Sequence, residues 1–223
     1  MDKVKWLPDG DTIHTENGKK LRLLNIDTPE INANKDKPAE PFSVAAKERL
    51  EKLIGPPQTI YWQTDYQKKD RYGRILAHVF NQKGELLSAK LLEQGHARML
   101  VIPPNDGYWQ CLKAIENNAV KMKAGLWSVK ANRAKSKNAI LQKKGFQWVA
   151  GTITERYQSK KNLWFVLDDK LWVGLPNDRH SYFEKELLNK KVGDRLSLNG
   201  FVYQSHGKLR VKLKHPGMLM GDN

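Results

Sequence analysis

Short runs in which hydrophobic and polar residues alternate dominate the first eighty positions of the chain. Because side chains alternate between the two faces of a β-strand, such runs predict strands. Five are predicted, over residues 4–7, 12–15, 20–26, 59–64 and 75–80. Glycines at positions 10, 18 and 73 lie between or beside them, where hairpins need residues that tolerate a positive φ. We expect an antiparallel meander that closes into a barrel.

Apolar residues at helical spacing follow the third predicted strand. They are Phe42, Ala45, Ala46, Leu50, Leu53 and Ile54, and the sequence Gly55-Pro56-Pro57 ends the run. Two further helices are predicted over 86–94 and 107–124, because a glycine follows each of these segments. Residues 1–128 are therefore predicted to form a five-stranded OB-type barrel with three helices.

A basic stretch without hydrophobic periodicity follows at residues 129–145. It contains no acidic residue, which favours a linker, although a helical extension with a solvated basic face fits the same composition. Beyond it, β-rich runs return over 148–157, 163–167, 171–175, 196–203 and 209–213, with a helical pattern at 182–188. This β-β-β-α-β-β order predicts a second five-stranded barrel, the OB-fold, over 146–219. The predicted fold class is mainly β with helices (α+β).

Composition adds a partner to this picture. The formal net charge is +15 and the pI is near 9.8, so the surface attracts polyanions and nucleic acid is the first partner to consider. A charge that serves solubility or membrane-surface binding is the alternative.

The single cysteine, Cys111, excludes an internal disulfide. No run of 18 apolar residues occurs, so no membrane-spanning segment is predicted. We also expect the protein to be a monomer.

Three short polar segments stand out from the strand and helix pattern. They are Asp9-Gly10-Asp11-Thr12, Arg22-Leu23-Leu24-Asn25-Ile26-Asp27-Thr28-Pro29-Glu30 and Asp70-Arg71-Tyr72-Gly73-Arg74. Each one alone is typical of a turn. Together, in this order and with these elements between them, they resemble the staphylococcal nuclease family over about residues 4–128. The later part of the likeness includes the segments 91–98, 104–105 and 125–128.

This resemblance implies a calcium site. Asp11 and Asp27 would supply carboxylate oxygens, Thr28 a backbone carbonyl, and Asp9 would support these ligands from behind. The chemistry is coherent, because Ca²⁺ prefers several oxygen ligands and the sequence lacks the Cys and His clusters that Zn²⁺ prefers.

The same resemblance implies a hydrolytic mechanism. Glu30 would be the general base that activates water, Arg22 and Arg74 would grip the phosphate, and Arg71 and Tyr72 would contact the substrate. Arginine suits this role because its planar guanidinium presents paired donors and stays charged. The implied reaction cuts DNA and RNA, with unpaired strands preferred, and leaves 3′-phosphate ends. A non-catalytic nucleic-acid-binding module with the same fold is the alternative.

Two features limit what spacing alone establishes for this site. Arg22 and Asp27 are separated by an odd number of residues, so strict strand alternation would put their side chains on opposite faces. A bulge near Asn25 or the turn at Thr28-Pro29 is therefore required. The family also places stacking tyrosines where Val101 and Pro103 stand here, so the base preference is not carried over.

The second predicted barrel lacks the three polar segments and is expected to bind rather than cut. Its tryptophans, Trp148, Trp164 and Trp172, form either a base-stacking platform or part of the core. The barrel itself is then either a nucleic-acid-binding accessory or a domain that stabilises the first. The resemblance also favours export, to the periplasm or beyond, with a signal absent from this sequence and the cytoplasm left open.

Overall fold

The computed structural model describes residues 1–31, 38–129 and 145–220. The chain divides into two compact units, Met1–Ser128 and Val129–Asn223. The predicted linker, 129–145, lies outside the described residues except at its two ends. In the described ranges, no helix has the length and apolar character that a membrane crossing needs.

The first unit is a closed barrel of five strands with helices around it. Its strands are β1 (Asp2–Trp6), β2 (Thr12–Thr15), β3 (Lys20–Leu23), β5 (Thr59–Lys69) and β6 (Ile75–Phe80), in the order β1-β2-β3-β6-β5. Strands β3 and β6 run parallel, and β1 closes the barrel against β5. The predicted closed barrel is confirmed, although its strands differ by several residues at their ends. The expected antiparallel meander is wrong, because β3 pairs in parallel with β6 and not with the next barrel strand, β5.

One predicted strand, 20–26, is in fact two. Strand β3 ends at Leu23, and β4 (Ile26–Asp27) leaves the barrel to pair with β7 (Arg98–Met99). The break lies at Asn25, whose φ of 64° is left-handed and incompatible with a continuous strand. Hydrophobic alternation does not report such a break, because the residues on both sides of it are apolar.

Three helices pack on this barrel, as predicted: α1 (Ser43–Ile54), α2 (Leu87–Glu93) and α3 (Trp109–Lys121), followed by a 3-10 turn at Gly125–Ser128. Helix α1 buries Ala46, Leu50 and Ile54, which recur at intervals of four residues and so form one apolar face. These side chains join a core with Ile13 and Leu21 of the barrel.

The second unit is another closed five-stranded barrel. Its strands are β8 (Gly145–Gln158), β9 (Asn162–Leu167), β10 (Leu171–Pro176), β11 (Arg195–Ser205) and β12 (Lys208–Lys212), in the order β10-β12-β11-β8-β9. Its third and fifth strands run parallel, as in the first barrel. Both units therefore have the predicted OB-type topology, and each has its own core.

The helix predicted over 182–188 is wrong in its extent. A 3-10 helix, Asn177–Tyr182, ends where the prediction began, and α4 spans only Lys185–Leu188. Phe183 and Glu184 between them have extended backbones. Phe183 is buried in the core of the second barrel, so tertiary packing overrides the local helical pattern.

Two helix ends of the first unit meet at Gly95. Its φ is +67°, and its carbonyl accepts a hydrogen bond of 2.8 Å from the backbone N–H of Leu126. A Cβ at this position would overlap the carbonyl group of Ala124. Gly95 is therefore required both by its backbone conformation and by the close approach of the chain after α3.

Substitution at Gly95 tests this contact. We expect Gly95→Ala to lower the free energy of unfolding of the first barrel by roughly 2 to 5 kcal/mol, because backbone strain adds to a steric overlap. Gly84→Ala is the control, since Gly84 has a φ of +74° with open space around it and should cost only about 1 to 2 kcal/mol. Urea unfolding of the full chain measures both. Equal losses would show that the approach to Ala124 relaxes freely.

Candidate active site

Direct contacts join the residues that the sequence singled out near the start of the chain. Arg22, on β3, places Nη1 3.0 Å from Asp11 Oδ2 and Nη2 3.4 Å from Asp27 Oδ1. The backbone N–H of Thr28 donates to Asp11 Oδ2 at 2.9 Å. We call Asp11, Arg22, Asp27 and Thr28 the acidic centre. One guanidinium thus lies between two carboxylates that are 16 residues apart in the sequence.

Asn25 makes this arrangement possible. Its left-handed backbone turns the chain between Arg22 and Asp27, so that two residues at an odd separation come together. The side-chain amide of Asn25 donates to the backbone carbonyl of Gly107 at 2.5 Å. The backbone carbonyl of Asn25 accepts a hydrogen bond from the backbone N–H of Leu100 at 3.0 Å. The expected redirection near Asn25 is confirmed, and bonds to distant parts of the chain hold it.

Asp11 is buried, with 4% of its surface exposed. The turn in which it lies is stabilised by contacts with neighbouring parts of the chain. Asp9 Oδ1 accepts from the backbone N–H of Asp11 at 3.0 Å, and Gly10 lies so close to Ala46 of α1 that a Cβ would be 2.7 Å away. Burial raises the pKa of Asp11 to about 6. Arg22 opposes this shift, whereas the negative charges of Asp9 and Asp27 add to it.

Glu30 follows the acidic centre along the chain and is exposed. Its pKa is also raised, first by partial loss of solvation and then by the charges of Asp9 and Asp27, with Arg22 opposing. Its backbone N–H donates to Glu40 Oε2 at 3.3 Å. Glu30 therefore lies in the field of the acidic centre, although no hydrogen bond joins their side chains within the described ranges.

Arg98 is a member of the site that sequence reasoning missed. It is the cross-strand partner of Asp27, and its Nε and Nη2 lie 2.8 and 2.7 Å from Asp27 Oδ2. Both carboxylate oxygens of Asp27 are thereby engaged, one by each arginine. A strand of two residues is too short to show a periodic pattern. The one signal in the sequence was that Arg98 is a basic residue in a segment that resembles the nuclease family.

The third polar segment forms the hairpin between β5 and β6. Asp70 Oδ1 accepts from the backbone N–H groups of Tyr72 and Arg74, and Asp70 Oδ2 accepts from Arg74 Nε at 2.7 Å. Burial raises the pKa of Asp70, but the hydrogen bonds from Arg74 outweigh it, so the pKa lies below its ordinary value. Tyr72 is 67% exposed, with the guanidinium groups of Arg71 and Arg74 at 4.8 and 5.6 Å from its ring centre.

Backbone register relates this hairpin to the acidic centre. The parallel pairing of β3 with β6 puts Leu76 beside Arg22, so Arg74 is two residues from the register position of Arg22. No hydrogen bond or ion pair between the two groups is found in the described part of the chain. Val101 stands at one of the two places where the family has stacking tyrosines, and it is buried and has no ring.

The donor set suits a hard cation. Asp11, Asp27 and the carbonyl of Thr28 are oxygen donors. Loss of solvation is the largest cause of the raised pKa values of Asp11 and Glu30, and the negative charges of Asp9 and Asp27 add to both. Among the described residues, no group of three or more His, Cys, Asp or Glu side chains is arranged to hold a metal. The described residues therefore offer a cation two carboxylates and a carbonyl at this place.

Fold and site together define an OB-type barrel that carries a carboxylate and arginine centre. The family described as "Staphylococcal nuclease homologue" matches residues 20–129. The chain is 35% identical to the thermonuclease of Staphylococcus hyicus over 129 residues, which cover 56% of this chain and 75% of that protein. It is 33% identical to the thermonuclease of Staphylococcus intermedius over 127 residues, with 56% and 74% covered.

A third relative is the endonuclease YncB of Bacillus subtilis (strain 168), 33% identical over 124 residues that cover 54% of this chain and 58% of that protein. The chain belongs to the staphylococcal nuclease family. The family match ends at residue 129, so the second barrel lies outside it. Asp9 and Asp11 precede the range that the family matches. Asp11 nevertheless contacts Arg22 and Thr28, which lie within that range.

The raised pKa of Asp11 predicts an unusual dependence of stability on pH. The folded pKa, about 6, lies above the ordinary 3.8, so ionisation of Asp11 opposes folding progressively between about pH 4 and 6. We expect Asp11→Asn to raise the free energy of unfolding of the metal-free protein by roughly 1 to 3 kcal/mol at about pH 7. This gain should disappear near pH 4.

Asp70→Asn is the control of opposite sign. Its folded pKa lies below 3.8, so its charge contributes stability that is present above that value and is lost as pH falls through the folded pKa. Asp70→Asn should therefore be less stable than the parent at about pH 7. Denaturant unfolding in a chelator, at several pH values, measures both. A loss of stability in Asp11→Asn at neutral pH would contradict the argument.

Proposed function

We propose that this chain is a calcium-dependent phosphodiesterase that hydrolyses DNA and RNA, prefers unpaired strands and leaves 3′-phosphate ends. The observation that carries the proposal is the acidic centre, in which Arg22 joins Asp11 to Asp27 inside a barrel of the staphylococcal nuclease family. Relatives named thermonuclease and endonuclease support nucleic acid as the substrate.

Asp11, Asp27 and the carbonyl of Thr28 are the groups that would hold calcium. When bound, the cation would neutralise charge on a phosphate oxygen and draw a water molecule into the site. The fixed positions of these groups support this role. Arg98 holds Asp27 with two donors to one oxygen, and Thr28 N with Asp9 holds the Asp11 segment.

Arg22 would bind the phosphate that is cleaved. In the free protein its Nη1 also donates to the carbonyls of Leu23 and Ile26, at 3.0 and 3.1 Å, so the guanidinium is held at several points. A donor fixed before the substrate arrives needs no reorganisation as charge develops on the phosphate.

Arg74 would supply the second set of donors. Asp70 engages its Nε, and no hydrogen bond of its two Nη groups is found within the described ranges. Paired Nη donors match two oxygens of one phosphate. Arg71 and Tyr72, exposed on the same hairpin, are proposed to contact the neighbouring nucleotide.

Glu30 is proposed as the general base. It is exposed, so it can reach a water beside the phosphate, and its raised pKa makes it a stronger base than an ordinary carboxylate. Partial loss of solvation is the largest cause of that raised pKa, and the charges of Asp9 and Asp27 add to it.

The second candidate is a nucleic-acid-binding module without catalysis. The absence of aromatic rings at Val101 and Pro103 favours weak nucleotide contacts but removes none of the groups proposed for hydrolysis. For the compartment we propose export from the cytoplasm, because low-affinity calcium sites work where calcium is plentiful. Fractionation of cells that express the intact gene tests the compartment, and confinement to the cytoplasm would contradict it.

Cleavage with and without calcium separates the two candidates. We expect heat-denatured DNA and RNA to be cut in calcium and left intact in a chelator. The new 3′ ends should resist extension by a polymerase until a phosphatase has removed the terminal phosphate. Binding of both substrates without cleavage in calcium would establish the module instead, and cleavage that persists in the chelator would refute the cation requirement.

The role of Glu30 is tested by Glu30→Gln, which keeps the shape of the side chain and removes its basicity. We expect kcat to fall by about 10² to 10⁴, with a much smaller change in substrate Kd. Glu48→Gln, at an exposed position on α1, is the matched control and should keep full turnover. Single-turnover rates with labelled oligonucleotides measure the chemical step, and unchanged rates in Glu30→Gln would exclude the residue as the base.

A further inference from the structure

The outer surface of the second barrel carries two tryptophans with two cations. Along β9, Leu163 and Phe165 point into the core, so Trp164 lies on the outer face. The same alternation puts Trp172 of β10 outside, next to its register partner Arg210 of β12. We call Trp164, Trp172, Lys208 and Arg210 the tryptophan face. Trp148 does not belong to it, because it is buried.

Each ring of this face has a cation over it. Lys208 Nζ lies 3.7 Å from the ring centre of Trp172, and the Arg210 guanidinium lies 5.2 Å from that of Trp164. The rings meet edge to face, with centres 5.8 Å apart. Arg210 Nε is buried and has no hydrogen-bond partner among the described residues. The ring quadrupole attracts a cation placed over its face, so these contacts stabilise both charges.

The backbone of β10 is adapted to this arrangement. A Cβ at Gly174, the register partner of Trp164, would lie 2.7 Å from the Trp164 ring. The glycine thus lets the indole lie against the strand, where a larger residue would push it outward. Both tryptophans are half-buried, which fixes their rings and leaves part of each accessible. A fixed ring loses little entropy when a flat ligand stacks on it.

We propose that the tryptophan face binds single-stranded nucleic acid. Aromatic rings stack on the bases of an unpaired strand, and cations beside them contact its phosphates. Strands β9 and β10 are the second and third of the barrel, which is the surface that OB-folds use for oligonucleotides. Between residues 145 and 220 there are thirteen Lys and Arg against seven Asp and Glu, so the barrel as a whole favours a polyanion over a neutral sugar.

Lys208 and Trp172 would exchange partners on binding. In the free protein the ammonium covers the indole ring, so a base can stack there only if Lys208 moves away. A phosphate of the same strand is the group that Lys208 would then contact. The aromatic and the cation therefore contribute separately: Trp172 to affinity through stacking, and Lys208 to the dependence of affinity on salt.

The experiment measures binding of the full chain to fluorescent oligo(dT) of about 20 nucleotides, longer than the site of one OB-fold, in a chelator. We expect Trp172→Leu to weaken binding by about tenfold and Trp172→Phe to restore most of it. Lys208→Ala should lower the slope of log Kd against log salt by about 0.7. Tyr182→Ala is the control, because Tyr182 is an exposed ring under Arg179 elsewhere on this barrel and should bind as the parent does.

Repeating the series in an Arg74→Ala background reduces the contribution of the first barrel to binding. Unchanged affinity of Trp172→Leu in both backgrounds, with unaltered thermal unfolding, would overturn the proposal. The proposal would also be overturned if Trp172→Leu abolished the binding of a neutral oligosaccharide but left the binding of oligo(dT) intact. If Trp172→Leu does not fold, an unchanged salt slope for the exposed Lys208→Ala would overturn it. The proposal gains its purpose from the proposed nuclease function, but these measurements involve no cleavage and so succeed or fail independently of it.

Discussion

The guanidinium of Arg22 between Asp11 and Asp27 is the interaction on which the organisation of the first barrel depends. Asp11 is almost wholly buried, and a buried carboxylate without a partner is strongly disfavoured. Arg22 compensates only in part, because the pKa of Asp11 still lies near 6. Removing Arg22 would leave the buried carboxylate of Asp11 without an opposite charge, which typically costs about 3 to 5 kcal/mol. Neutralising Asp11 does not have this cost, because Arg22 keeps Asp27 as a partner.

That incomplete compensation suits the proposed cation site. A carboxylate that Arg22 and other donors satisfied fully would gain little from a cation, whereas the pKa of Asp11 stays raised by its burial, with the charges of Asp9 and Asp27 adding to the shift. The rest of the first barrel offsets the free-energy cost of this arrangement. Asn25 is held in a left-handed turn by Gly107 and Leu100, and the barrel core beneath it supplies the stability that permits such strain.

Much of this architecture could be predicted from the sequence. Alternating runs and glycine turns predicted both barrels, because strand periodicity and hairpin chemistry are local properties. A redirection of the chain near Asn25 was expected, but not that it ends the strand. The pairing of β4 with β7 and the short α4 were missed, because each depends on contacts between distant residues. For the same reason Arg98 was not recognised, although its partner Asp27 was.

The candidate site divides in the same way. The resemblance to the family pointed to Asp11, Arg22 and Asp27, which the structure brings together, while the roles of Glu30 and of the Asp70–Arg74 hairpin remain predictions. Sequence left open whether the tryptophans of the second barrel belong to its core or its surface. The structure distinguishes them by burial: Trp148 is buried, whereas Trp164 and Trp172 are half-buried.

One topology thus presents charge in two different ways. In the first barrel the polar groups lie where strands end and the chain turns, so backbone amides and carbonyls join the side chains in a concentrated site. In the second, cations lie over aromatic rings on the outer face of paired strands, where backbone groups are used by strand pairing and only side chains face outward. Turns can therefore assemble the several oxygen donors that a cation needs. A sheet face offers flat rings and single charges, which suit an extended strand better than a reacting phosphate.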